Sequence, residues 1–129
     1  MATPLFNVAP ALSVPFQTAD ATPIVAAEFD ATQYPLDAFW FEVKVVALYS
    51  DGSKAAAYWL AGLFRSSATG AVTQVGATAS VISAIEDTGS MDCTVAASGN
   101  KIQVTVTGVA ATTINWVLDN TIRHAPFSK

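Results

Sequence analysis

Charge is scarce in this chain. Asp, Glu, Lys and Arg together make up 12% of 129 residues, and only six are Lys or Arg. That is about half the usual ~25% charged content. With a formal net charge of −4, a surface that reads nucleic acid through its phosphates is excluded. The chain also has one cysteine, Cys93, so no internal disulfide framework exists. It has one histidine, His124. One Cys and one His in distant segments do not make a zinc site. No Lys or Arg precedes Lys44, so a secretory signal has no basic start. The longest uncharged apolar run, Ala55 to Phe64, is shorter than the ~20 residues a membrane helix needs. No Asn-x-Ser/Thr acceptor occurs. These absences predict a protein made in the cytoplasm, with no membrane and no nucleic acid among its partners.

What the chain has instead is apolar content, at 52%. A disordered chain, with few apolar and many charged residues, is thereby excluded. The length suits one domain with a core of its own. Five of the six prolines fall in the first 35 residues: Pro4, Pro10, Pro15, Pro23 and Pro35. Proline fixes φ, lacks an N–H and pushes the preceding residue to extended conformations. Residues 1–37 therefore read as an extended arm, with one short strand at Ile24 to Phe29. Leu5, Phe6, Val8, Leu12, Val14 and Phe16 make this arm apolar, and Asp20 is its one charge before Glu28. Leaving each such large side chain in water costs roughly 1.5–3 kcal/mol, so the arm is expected to dock on its own domain or on a neighbour.

Residues 38–129 read as a β-sandwich domain. Apolar and polar residues alternate with period two from Ala38 onward. Asp51-Gly52 marks a hairpin, expected as a two-residue type I′ turn. Pairing Ser50 with Ser53 puts Phe39 opposite Phe64, Phe41 opposite Gly62, Val43 opposite Leu60, Val45 opposite Tyr58 and Ala47 opposite Ala56. Every member of that face is apolar apart from Gly62, as a correct register requires. Gly62 is expected to make room for Phe41. The other face is mixed: Trp40 with Leu63, Glu42 with Ala61, Lys44 with Trp59, Val46 with Ala57 and Leu48 with Ala55. Lys44 across from Trp59 suits a cation–π contact. So many large apolar groups on a second face predict a partner.

A second hairpin turns at Gly99-Asn100, with Cys93, Val95 and Ala97 facing Ile102, Val104 and Val106. Val72 to Ile85 provides one or two further strands. A last strand, Thr113 to Ile122, puts Ile114, Trp116 and Leu118 on one side. The fold class is all-β: an antiparallel β-sandwich of about seven or eight strands with an extended proline-rich N-terminal arm.

No catalytic constellation emerges. His124 has no Gly-x-Ser-x-Gly elbow to serve and reads as a polar residue after the last strand. Glu86, Asp87 and Asp92 lack EF-hand spacing and read as a solvated loop. Glu42 with Asp37 or Asp92 has no spacing that makes a glycosidase carboxylate pair. Cys93 reads as a small buried hydrophobe. The chain is expected to have no catalytic, cofactor or metal site. The expected contact residues are Leu5, Phe6, Val14, Phe16, Trp40, Lys44, Leu48, Trp59 and Leu63.

The run from Phe41 to Tyr58, FEVKVVALYSDGSKAAAY, resembles small β-rich bacteriophage virion structural proteins. So do Val75-Gly76, Ile85-Glu86-Asp87, Val104 to Gly108 and Ala111 to Val117. The resemblance covers about residues 38–120. It leaves out the arm and departs after Val117, at Leu118-Asp119-Asn120. It implies a virion location, after synthesis in the bacterial host, and carries over no catalytic residue. It implies a place on the head surface or on the tail and does not decide between them. The first reading is a capsid decoration or cement protein that binds coat subunits and forms a homo-oligomer; the second is a tail or tail-fibre component that meets a host receptor or glycan.

Overall fold

The computed structural model describes residues 14–126. They form eight strands: β1 (Val14–Thr18), β2 (Ile24–Asp30), β3 (Asp37–Tyr49), β4 (Ala55–Ser66), β5 (Val72–Glu86), β6 (Asp92–Ser98), β7 (Lys101–Thr107) and β8 (Ile114–Pro126). A five-stranded sheet runs β1-β8-β3-β4-β5, and a three-stranded sheet runs β2-β7-β6. Every pairing is antiparallel. The result is the expected antiparallel sandwich.

Alternation builds the core. Phe39, Phe41, Val43, Val45 and Ala47 of β3 point inward, as do Ala56, Tyr58, Leu60 and Phe64 of β4 and Ile114, Trp116 and Leu118 of β8. They meet Cys93 and Val95 of β6 and Ile102, Val104 and Val106 of β7. The cysteine is free and buried.

The β3–β4 register is the expected one, from Phe39↔Phe64 to Ala47↔Ala56. Its turn differs. The Gly52 N–H donates to the Tyr49 carbonyl at 2.8 Å, and Tyr49 N–H donates to the Lys54 carbonyl at 2.9 Å. Gly52 has φ +79° while Asp51 stays at negative φ, so the loop is not type I′, which needs both positive. Asp51 instead accepts the Ser53 N–H at 2.9 Å, tightening a longer loop. Gly62 also departs from expectation. A Cβ there would lie 2.8 Å from Cε1 of Phe64, so the glycine makes room for Phe64 rather than Phe41.

Two stretches within the expected arm are paired into the sheets: β1 is an edge strand of the large sheet and β2 an edge strand of the small one. Pro15 sits within β1, opposite Val117. An edge strand tolerates proline because the side without an N–H can face outward. Phe16 turns inward and stacks on Trp116, with ring centroids 6.1 Å apart. Leu5 and Phe6 lie outside the described residues.

β8 is longer than expected and runs to Pro126. β3 supplies the partner, with Phe39↔His124 and Asp37↔Pro126 closing the ladder. β5 is a single strand rather than two. It is bulged against β4, with register shifts at three points. Bulges of this kind twist an edge and blunt it as a template for other strands.

Candidate functional site

The outer face of the five-stranded sheet carries the side chains that the core does not use. Cross-strand rows set its order. One row is Arg123–Trp40–Leu63–Val75 and another is Asp119–Lys44–Trp59–Ile82. A third is Val117–Val46–Ala57–Ile85. Ile85 is 63% exposed, Val46 58% and Trp40 45%. Leu48, Leu63, Val75, Ile82 and Val117 are exposed beside them. On an ordinary solvated sheet these outward positions would be polar.

Glu42 organises the polar part. Trp40 Nε1–H donates to Glu42 Oε1 at 3.1 Å, and Trp59 Nε1–H donates to Glu42 Oε2. The indole of Trp40, then that of Trp59, holds the Glu42 carboxyl below its ordinary pKa, so it stays ionised. Lys44 Nζ sits over the Trp59 ring, 4.6 Å from its centre, which is the expected cation–π contact. One carboxylate thus fixes the edges of two tryptophans. Both rings are thereby restrained by a hydrogen bond at the indole N–H.

Beside this cluster runs an apolar groove of about 370 Å³. Val117 and Asp119 line it on β8, Lys44 and Val46 on β3, Ala57 and Trp59 on β4, and Ile82 on β5. It crosses the sheet rather than following a strand.

Of the expected contact residues, the structure brings Trp40, Lys44, Leu48, Trp59 and Leu63 onto this one face. Phe16 lies among the core rings instead, and for Val14 the backbone is placed, opposite Leu118. Sequence reading missed Val75, Ile82, Ile85 and Val117 as members of the face. Their alternation is visible, but the strands beside them are not.

The carboxylates do not form a pair. Glu42 faces outward while Asp37, five residues earlier, is buried. Asp92 lies on the other sheet. Of the three acids expected in one solvated loop, Glu86 ends β5 and Asp92 opens β6; Glu86 accepts the Tyr58 O–H at 2.5 Å and Asp87 accepts the Ala55 N–H at 2.8 Å. Burial, with Glu86 beside it, pushes the Tyr58 hydroxyl well above its ordinary pKa.

His124 is not a tail residue. It lies in β8, and its Nδ1 is 2.8 Å from Oδ2 of Asp37. Tyr34 and Phe39 pack against its ring. The Asp37 side chain is 2% exposed and that of His124 41%. Ser66 stands nearby, but its hydroxyl donates to the Tyr34 carbonyl at 2.6 Å and accepts the Asp37 N–H at 3.0 Å. No nucleophile is activated; the pair clips the end of β8 to the start of β3. His124→Ala leaves the buried carboxylate with the Ala38 N–H as its partner. It is expected to cost roughly 1–3 kcal/mol, read as a lower urea midpoint at unchanged slope.

Fold and face together define the class: an all-β sandwich whose larger sheet carries an aromatic and apolar outer face. No protein-family model matches the chain, and no curated protein is similar to it in sequence. Two solved structures are similar to it in fold, both phage proteins. The tailspike protein of Acinetobacter baumannii phage AM24 is 11% identical with a TM-score of 0.48, covering 85% of this chain and 25% of that one. The tailspike protein of Acinetobacter phage vB_ApiP_P1 is 16% identical with a TM-score of 0.47, covering 88% and 22%. The chain spans about a quarter of the length of each.

Proposed function

We propose that this chain is a non-enzymatic structural component of a bacteriophage virion, attached to coat or tail subunits through the outer face of its five-stranded sheet. The observation that carries the reading is the patch of exposed Trp40, Val46, Leu48, Leu63, Ile82 and Ile85 on one face of the sheet. Patches of this kind on a soluble domain mark interaction surfaces. The motifs from Phe41 to Val117 supply the virion context. Capsid decoration is the first placement. Many copies that bind only the assembled shell stabilise it by mass action. A homo-oligomer built through the same face belongs to this reading. A tail or tail-fibre position is the second placement, favoured by the exposed Trp40 ring beside Glu42 and Arg123, a pattern that suits a glycan. Residues 1–13 contribute to attachment in either place.

Antibody to the purified chain, applied to separated heads and tails from a phage lysate that makes it, tests both. Label on heads is the expected result, and label on tails selects the second placement. Label on neither overturns the proposal. Deleting residues 1–12, which spares β1, is expected to lower occupancy on the particle at least tenfold.

A further inference from the structure

The groove across the outer sheet lies beside the place where the chain enters the fold. Val14 stands opposite Leu118, and β1 runs antiparallel to β8. The chain therefore reaches Val14 from the side of Asp119, one of the groove's lining residues. From β1 to β5 are four strand spacings, about 19 Å. Six extended residues span about 20 Å, so residues 8–13 alone reach the far side at Ile82. Residues 1–13 carry no charged side chain and hold Leu5, Phe6, Val8 and Leu12. The groove matches that chemistry, since Val46, Ala57, Ile82 and Val117 line it and its two charges are Lys44 and Asp119.

We infer that this groove is the binding site for the chain's own N-terminal segment, residues 1–13, laid across β8, β3, β4 and β5. A tether that starts beside the groove holds the segment at a millimolar effective concentration, well above any free copy. The docked segment covers the Val46 and Ile82 end of the face. It leaves the Trp40, Leu63 and Val75 row open, so the surface offered to partners is built from sheet and segment together.

Isotope-edited NMR on the full chain tests this. Cross-peaks are expected from Leu5, Phe6, Val8 or Leu12 protons to Ile82, Val117 and Trp59. A sample mixed from labelled and unlabelled chains should show none of them between molecules. In the full-length variant L5S/F6S/V8S/L12S these cross-peaks vanish and the Ile82 and Val117 methyl resonances move. The Ile102 and Val104 methyls, in the core, stay in place. Cross-peaks found only between molecules would make a second copy the occupant and overturn the inference. Cross-peaks to the edge of β8 away from β3 at 119–125, which none of the described residues pairs, or none at all, would also overturn it. None of these outcomes depends on virion binding.

Discussion

Trp116→Ala is expected to remove about 3–5 kcal/mol of stability, against the 5–15 kcal/mol that ordinary domains have in total. The side chain is fully buried and is the largest of the core. It faces the inner layer from β8, with Ala47 of β3 on one side and Phe16 of β1 on the other. Its Nε1–H donates to Oγ1 of Thr18 at 2.9 Å, and Thr18 is itself buried. Truncation leaves a cavity, an unstacked Phe16 and an orphaned hydroxyl at once. Urea denaturation reads the total. Hydrogen exchange reads where it falls: among the described residues β1 pairs only with β8, so its amides should lose protection before those of β3 or β4. Trp116→Phe separates the causes. It keeps most of the ring and loses the hydrogen bond, for roughly 1–3 kcal/mol. Equal losses in the two variants would mean that the bond to Thr18, not the packing, holds β1.

The hairpins were the legible part of the sequence. In β3 and β4, alternation makes one face wholly apolar at a single register, and a slip by one residue would reverse every side chain. The same holds for Cys93, Val95 and Ala97 against Ile102, Val104 and Val106. Local turn chemistry was less decisive. Asp51-Gly52 suits type I′, yet Gly52 bonds back to Tyr49 and the loop takes two more residues. The misread parts depend on distant partners. Pro15 marks an extended arm until β1 is seen as an edge strand, where the missing donor does no harm. Arg123-His124-Ala125-Pro126 has no apolar rhythm, and among the described residues it is β3 that makes it a strand by pairing with it. For the face, Trp40, Glu42 and Lys44 share a side by spacing of two. The groove needs the order β8-β3-β4-β5, which no local pattern contains.

The face and the fold can be separated by where charge is placed. Trp40→Ala with Leu63→Asp changes one exposed row, since the two residues stand opposite each other and are 45% and 41% exposed. Neither supports the core, and Glu42 keeps its bond from Trp59. Stability should shift by less than about 1 kcal/mol, as for most surface substitutions. Binding should respond differently. Aromatic anchors at the centre of an interface carry 2 kcal/mol or more each, and a desolvated carboxylate adds a penalty of its own. The double variant is therefore expected to bind particles at least ~30-fold more weakly, measured by co-sedimentation of labelled protein with virions. His124→Ala and Trp116→Phe should do the reverse, lowering the urea midpoint while leaving particle affinity unchanged at temperatures where they stay folded. Full occupancy by the Trp40/Leu63 variant would remove the face from the contact. The crossed pattern is what the proposed attachment through one sheet face requires, because inner residues would then act on the partner only by keeping the sheet in place.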